Sequence, residues 1–549
     1  MSVHPRVTFV VLLSAFCCRA ERLFVGILEA DSIQSIHYGA AAFSRVSDLT
    51  LVQQQVQARL AQALLLPEQT GIAMSGPLKI VQSVDSDVPP APDNPATVAI
   101  IPLADDGTMI RQAYATTYAQ HKTQGDFTLY EAPTDTNRAP FVAVAVADRH
   151  LFTSLSLSAL TWAWQHRSKF LEAPAQSLPG TVRVLVNPQR MADLVGTRSA
   201  QAAGIVDLDH LLRDCETCSF SFTLEGAVLG LSLRATAKQG SALDALLSSW
   251  RLPSEMLWHA VPDNAFYMSL GAVDRPDLWT PFLGTLRHRL LTPISDRLSS
   301  QTTTGDRLDY IVSTRNGKGL CWVQLQPVKD SVAAQVAIRA LADADSTNSV
   351  SFKHLNQRTA GGTAIETYAI TLKPAEPMQA TASGAADPSL SHMLLSLLLK
   401  RAVLECAVHN GHCITVIGPE GAIDEQLPPA SFTVRPLPLN RRIGVQDPAL
   451  NPELTFGGCL RAAELIRHTV TIMPEIKPEQ ARLLPRGGDG MTFGIVRNER
   501  TLTASLRIQS NEIAALQRLN RDGRAVLQEV FFQILAKQMM EREKPPEKK

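Results

Sequence analysis

From Ser219 onward apolar residues fall on every second position: Phe220, Phe222 and Leu224, then Leu229, Leu231 and Leu233. Period two over short runs predicts strands with one buried face. The spacing then lengthens, with Leu243, Leu246, Leu247 and Trp250 three and four residues apart, which predicts a helix. The same strand–strand–helix succession is predicted over Asp309–Leu341. There Tyr310 and Val312 precede an Asn316-Gly317 turn, then Leu320–Val323 and a helix carrying Val332, Val336 and Leu341 on its apolar side. Strands joined by turns this short run antiparallel. The predicted fold class is therefore α+β, an antiparallel sheet with helices packed on one face, in two tandem pseudo-equivalent halves.

The two halves are suggested by matches that recur in the same order along the chain. Ser219–Leu224 and Leu231–Arg234 resemble Met491–Ile495 and Ala504–Arg507, with Phe220 on Phe493, a separation of 493 − 220 = 273. Phe24–Asp31 resembles Tyr267–Asp274 at 243, Val98–Pro102 resembles Trp322–Pro327 at 225, and Val146–His150 resembles Val408–His412 at 262. Arg190–Val195 resembles Arg461–Ile466 at 271. Short apolar alternations recur by chance, but collinear ones point to an internal repeat. The Pro-rich stretches at 84–97 and 373–388 lengthen one copy or the other and account for the drift. The expected division is 21–252 and 263–540, with the junction near Arg251–Asn264, where Pro253 and Pro262 follow the helix ending at Trp250. Residues 427–439, rich in proline, form a further expected boundary.

Residues 1–20 read as a signal peptide. Arg6 precedes the apolar run Val7–Cys18, which is too short to span a bilayer, and Ala20 offers a small residue for cleavage. Phe16 before Cys17 is too bulky for a lipid-modified cysteine. The Met393–Leu399 run ends at Lys400 and is also too short for a membrane span, so no transmembrane segment is expected in the mature chain. An amphipathic helix is expected over Arg524–Met540, followed by a charged, disordered tail at 541–549.

Lys+Arg and Asp+Glu both total 52, so the 549-residue chain is formally neutral. Without a dense basic face it lacks the charge that neutralises phosphates, and nucleic acid is not an expected partner.

Two motifs could carry chemistry. Cys215-Glu-Thr-Cys218 has the spacing of a redox pair, which needs a helix N-terminus or cations to stabilise a thiolate. Here the order is reversed: Leu211–Arg213 precedes it and a strand follows. Asp214 and Glu216 oppose a thiolate, so the thiol pKa is expected near or above its reference. In an exported chain a local disulfide in a loop between helix and strand is the expected state. Cys406-Ala-Val-His-Asn-Gly-His-Cys413 looks like a Cys/His metal cluster. Asn-Gly, however, favours a two-residue type I′ turn, which pairs His409 with His412, Val408 with Cys413 and Cys406 with Thr415. Alternation then sends both cysteines to one face and both histidines to the other, so four ligands cannot converge.

Other motifs fail on context. Asn316–Gly319 lacks the remainder of a P-loop and sits in a hairpin. Pro485–Gly490 is glycine-rich but precedes a strand, so it reads as a turn. No residue is singled out as catalytic, cofactor-binding or metal-binding, and no cofactor is expected.

The signal segment, the paired strand–strand–helix units and the strand Val182–Val186 running into a helix at Pro188 resemble large uncharacterised exported bacterial proteins built from tandem α+β repeats. The resemblance covers most of the mature chain and implies a fold type without an activity. The functional expectation is an exported, non-enzymatic protein of the cell envelope, periplasmic or extracellular. Its expected partner is a protein or a small apolar ligand in a groove between the halves. The alternative is an exported hydrolase whose active-site residues are dispersed along the chain.

Overall fold

The computed structural model describes residues 22–47, 71–85, 96–131, 141–172, 180–199, 208–274, 305–341, 350–372, 402–427 and 454–522, apart from 119, 226, 255–256, 258–261, 263, 318 and 473–475. The expected signal peptide, the Met393–Leu399 run, the helix at 524–540 and the tail at 541–549 lie outside these residues, as do most of the Pro-rich stretches. The chain divides into two compact units. One runs to Asp244 and includes Arg500–Thr503; the other comprises Ala245–Glu499 and the residues from Ala504.

In the first unit the elements run β1 (Arg22–Ala30), α1 (Ile33–Ser47), β2 (Leu78–Asp85), β3 (Ala96–Pro102), α2 (Thr108–Thr117), β4 (Gln120–Gln124), β5 (Phe127–Glu131), β6 (Phe141–Ala147) and β7 (His150–Ser154). They continue with α3 (Leu157–Gln165), α4 (Arg167–Leu171), β8 (Val182–Val186), α5 (Pro188–Ser199), α6 (Leu208–Arg213), β9 (Cys215–Glu225) and β10 (Val228–Ala237), and α7 (Ala242–Ser249) crosses the division at Asp244. Every strand pairing is antiparallel, in the order β4-β5-β6-β7-β3-β2-β1-β8-β9-β10.

The second unit begins with β11 (Tyr267–Ala272), β12 (Asp306–Ser313), β13 (Leu320–Pro327), α8 (Ser331–Arg339), β14 (Val350–Ala360), β15 (Thr363–Leu372), β16 (Val403–His409) and β17 (His412–Gly418). It ends with α9 (Ala422–Gln426), β18 (Leu454–Leu460), α10 (Ala462–Thr471), α11 (Pro478–Leu483), β19 (Met491–Asn498), β20 (Thr501–Gln509) and α12 (Ser510–Asp522). The order here is β14-β15-β16-β17-β13-β12-β11-β18-β19-β20, strand for strand that of the first unit.

Cross-strand register makes the correspondence residue-specific. In the first sheet, neighbouring residues form the row Val144–Thr153–Ala99–Ile80–Leu28–Val184–Phe220. In the second, the row is Cys406–Thr415–Gln324–Asp309–Ser269–Gly458–Phe493. The hairpin separation, 415 − 153 = 262, carried from strand to strand, arrives at 493 − 220 = 273, the separation read independently from sequence. One sequence match needs correction. Register sets Leu28 against Ser269, 269 − 28 = 241, so the Phe24/Tyr267 alignment at 243 is two residues out. A two-residue slip keeps every side chain on the same face, and for that reason the apolar pattern alone could not detect it.

Helices pack against both sheet faces rather than one. Ile101, Val144 and Leu151 form a core with Ile33 of α1 and Ile110 and Tyr114 of α2. The alternate positions Ile100, Ala145 and Phe152 form another with Ala159, Leu160 and Ala163 of α3 and Phe170 of α4. The second unit repeats this with Ile338 of α8 on one side and Ala422 and Ile423 of α9 on the other. The α7 spacing is confirmed, since Leu243, Leu246, Leu247 and Trp250 are all buried. In α8 the buried residues are Ala334 and Ile338, with Leu341 buried just past its end, while Val332 and Val336 are exposed. In β9 and β10 the alternating residues are only half-buried and Leu231 is exposed.

Candidate functional site

Buried polar groups are the places where a sheet protein departs from what stability alone would choose. In the first unit they form the row next to the apolar one, and so lie on the opposite face: Lys79–Glu29–Arg183–Ser221 across β2, β1, β8 and β9. Lys79 Nζ lies 3.3 Å from Glu29 Oε2, both side chains nearly fully buried, and donates to the Glu172 carbonyl at 3.0 Å. Arg183 donates to Glu29 Oε1 at 3.0 Å and also pairs with Asp31. The Lys79–Glu29 contact lacks hydrogen-bond geometry, and Glu29 Oε2, Arg183 Nε and Ser221 Oγ are buried without hydrogen-bond partners. The cluster holds two cations and two anions.

The second unit places its polar groups on the other face. Arg307 grips Asp309 with Nε at 2.7 Å and Nη2 at 3.1 Å, and Gln324 Nε2 donates to the same carboxylate at 3.2 Å. Burial alone would lower the Arg307 pKa, but Asp309 more than compensates and holds the guanidinium charged. Tyr267 donates to Ser269 Oγ at 2.9 Å, and burial pushes its phenol pKa up. Gly458 lets the sheet close here, since a Cβ on it would lie 2.1 Å from the Met268 carbonyl oxygen. On the same side of β13, Trp322 Nε1 and Gln326 Oε1 are buried without hydrogen-bond partners.

Two other buried carboxylates of this unit, Glu405 and Glu512, hold backbone. Glu405 accepts from Gly421 N–H and Ile423 N–H, both at 3.0 Å, at the start of α9, and pairs with Arg358 at 2.8 Å. Glu512 accepts from Ala463 N–H at 2.8 Å at the start of α10 and from Gly490 N–H at 2.9 Å. Gly487 N–H goes to Glu464 Oε1 at 2.8 Å and Asp489 N–H to Asn511 Oδ1 at 3.1 Å. Burial would raise the Glu464 pKa, but Arg467 and the Gly487 N–H hold it below the ordinary carboxylate value. The glycine-rich Pro485–Gly490 segment is thus a turn in which the Gly487, Asp489 and Gly490 amides are bound to the protein's own oxygens. Glu366 lies between Arg339 Nε at 3.0 Å and His354 Nε2 at 2.9 Å, with the histidine partly exposed.

The Cys215/Cys218 pair differs from expectation. Both thiols are free, buried, and part of β9 rather than a loop. A bulge opposite Thr236 and Ala237 turns both side chains inward. Three residues of strand span about 10 Å, whereas a disulfide needs Cα atoms about 4.4–6.8 Å apart. Extended backbone therefore explains why the expected bridge does not form. Burial, then Asp214, pushes Cys215 up to about 11. Burial, then Cys215, pushes Cys218 up to about 12. Cys215 donates to the Leu211 carbonyl at 3.2 Å, which also favours the thiol. The direction matches the sequence argument, but burial is the main cause.

The Asn410-Gly411 hairpin forms as its turn chemistry dictates. Both residues have positive φ, 48° and 74°, and His409 pairs with His412, Val408 with Cys413 and Cys406 with Thr415. Cys406 and Cys413 point into the core beneath α8, where burial drives both thiol pKa values up, Cys413 to about 12. The half-buried His409 and His412 share the opposite face. His409 Nδ1 lies 2.6 Å from Thr363 Oγ1, and its Nε2 lies 3.0 Å from Asn410 Nδ2. His412 Nδ1 lies 2.9 Å from the Asn410 carbonyl oxygen.

Among the described residues, no three His, Cys, Asp or Glu side chains cluster as metal ligands, and no helix is long and apolar enough to cross a membrane. No site residue, and neither buried charged row, is legible in the sequence alone. The only available signal was the charged residue interrupting an apolar run, such as Glu29 in Phe24–Ala30 and Asp309 in Leu308–Val312. Compared with known proteins, the chain matches no family model, no curated protein and no solved structure.

Proposed function

We propose that this chain is an exported protein of the cell envelope, periplasmic or extracellular, with a binding or structural rather than enzymatic role, and that it arose by tandem duplication of one α+β unit. The observation that carries the non-enzymatic reading is how the buried ionisable groups are used. Glu29, Lys79, Asp309 and Glu405 are committed to ion pairs, and Glu512 to backbone N–H groups. The buried thiols are held protonated. An active site instead keeps a group poised to change its protonation or bonding state. A protein or a small apolar ligand is the occupant this role would take. The coincident strand orders and registers support the duplication.

The expected outcome on expression with its native N-terminus is export with cleavage near Ala20, read by intact mass. The purified chain is expected to hydrolyse no ester, peptide or glycoside substrate above background. The hydrolase alternative draws support from the partly exposed His354 hydrogen-bonded to buried Glu366, the geometry of an oriented general base. Hydrolysis by the wild type that is lost in both His354→Gln and Glu366→Gln would replace the non-enzymatic reading with that one.

A further inference from the structure

We propose that α10 carries an acid-sensitive latch: His468 holds the last turns of the helix against Phe266 only while its imidazole is neutral, and protonation releases that end. The start of the helix is fixed by contacts independent of His468. Phe266 N–H donates to the Ile311 carbonyl at 2.8 Å, and the Phe266 carbonyl accepts from Arg461 N–H at 2.7 Å. Arg461 Nη2 donates to the Ala265 carbonyl at 2.8 Å, and Glu512 accepts from Ala463 N–H at 2.8 Å. Further along the helix, the half-buried His468 packs its ring on the same Phe266, with centroids 5.1 Å apart and planes inclined at 31°.

Within that contact His468 Nε2 is covered and meets no hydrogen-bond partner among the described residues. A neutral imidazole can place its lone pair on that nitrogen. Protonation puts hydrogen on both ring nitrogens, so Nε2–H becomes a buried donor on a charged group with nothing to accept it. That arrangement is the costly one. The charged side chains that act on the ring lie on its own helix. Arg467 opposes the added charge. Glu464 favours it, but its carboxylate is already held by Arg467 at 2.7 and 2.9 Å and by Gly487 N–H at 2.8 Å. From the neighbouring elements, Phe266 brings no charge, and the Gly319 backbone favours protonation without offsetting burial. Burial is the largest influence and sets the His468 pKa below the ordinary histidine value.

An undocked ring, at about 6.5, therefore takes up a proton before the docked one does. The latch is closed above that value. As pH falls from there through the docked value, the ratio of closed to open drops by up to about ten-fold per pH unit. The first unit lacks the device. Its α5 starts in the same way, with Asn187 N–H donating to the Val25 carbonyl at 2.7 Å where Arg461 N–H donates to Phe266. Counting seven residues on from each start, 187 + 7 = 194 and 461 + 7 = 468, sets Leu194 in place of His468 and Val25 in place of Phe266. An aliphatic pair has nothing to titrate.

The test is hydrogen–deuterium exchange by mass spectrometry on the untagged full chain at about pH 7.5 and about pH 5.5, corrected for the intrinsic pH dependence of exchange. On acidification the wild type is expected to lose up to about ten-fold in protection over the last turns of α10, while β13 and β17 keep theirs. His468→Leu installs the residue of the first unit, and His468→Phe keeps a ring on Phe266. Both variants are expected to show the same α10 protection at the two pH values. Unchanged α10 protection in the wild type, or an acid loss as large in both variants as in the wild type, would overturn the latch. So would an imidazole titration by NMR that places His468 at or above the ordinary histidine value.

Discussion

In the first unit the charges at the middle of the sheet, Glu29 and Lys79, face the side on which α3 and α4 pack. In the second unit Arg307 and Asp309 face the side on which α8 packs. These are opposite faces of equivalent strands. Where the first sheet has Lys79, Glu29 and Arg183, the second has Leu308, Leu270 and Gly457. Where the second has Gln324, Asp309 and Ser269, the first has Ala99, Ile80 and Leu28. Strand order and register are thus common to both units, while the choice of polar face is not. A buried charge is tolerated on either face provided that its partner sits on the neighbouring strand or two residues along its own.

Transplanting residues between the units is the direct way to break this comparison. Glu29→Leu alone strands buried Lys79 and is expected to cost about 3–5 kcal/mol in denaturant unfolding. Adding Lys79→Leu, so that both positions match the second unit, is expected to recover most of that loss. If the double variant is as unstable as the single one, the positions are not interchangeable and the correspondence fails.

The reciprocal change is expected to be smaller. Arg307 is about a third exposed, and Arg307→Leu leaves Asp309 with only Gln324, for a loss of about 2 kcal/mol. The triple variant Arg307→Leu, Asp309→Ile, Gln324→Ala installs the residues of the first sheet, Leu78, Ile80 and Ala99. A melting temperature closer to the wild type than that of Arg307→Leu would support interchangeable faces; a lower one would count against them.

Alkaline pH should strain both units. The folded pKa values of Cys215, Cys218 and Cys413, about 11 to 12, lie above the unfolded thiol value. The folded chain therefore holds more protons than the unfolded one in this range, and stability falls as pH rises. The contribution is complete below about pH 8.5 and is lost at up to about 1.4 kcal/mol per thiol per pH unit towards the folded values. Melting temperatures followed from pH 8 to 11 check this, and a flat profile would show that the thiols are not buried as described. Replacing all three by serine or alanine should make the fall shallower, with Cys321 and Cys406, which burial also pushes up, keeping part of it.

The smallest effect is expected in α8. Val332→Gln with Val336→Gln should change stability by less than about 0.5 kcal/mol for each residue, as exposed positions do. Ile338→Ala should cost about 2–4 kcal/mol. A large loss from the valine pair would reinstate them as core residues.

Turn and helix chemistry was legible where it is local. Asn410-Gly411 specified its hairpin because few residues accept positive φ at both turn positions, and the α7 stripe was visible because its buried residues are large. The α8 stripe was misread because Ala334 is small, and two solvent-facing valines gave the stronger apolar signal. Cys215–Cys218 looked like a loop motif because nothing in four residues reveals that β10 pairs with them.

The sequence by itself determined the α+β class, the antiparallel hairpins and the separations 262 and 273 that link their counterparts. These depend on side-chain period and turn residues, which act over a few positions. Tertiary structure alone decided the two-residue correction in β1, the packing of helices on both faces and the face that receives each charged row. Those choices depend on partners far apart in the chain, Glu29 with Arg183 and Glu405 with Arg358. No local pattern encodes which distant residue will stand opposite a buried charge.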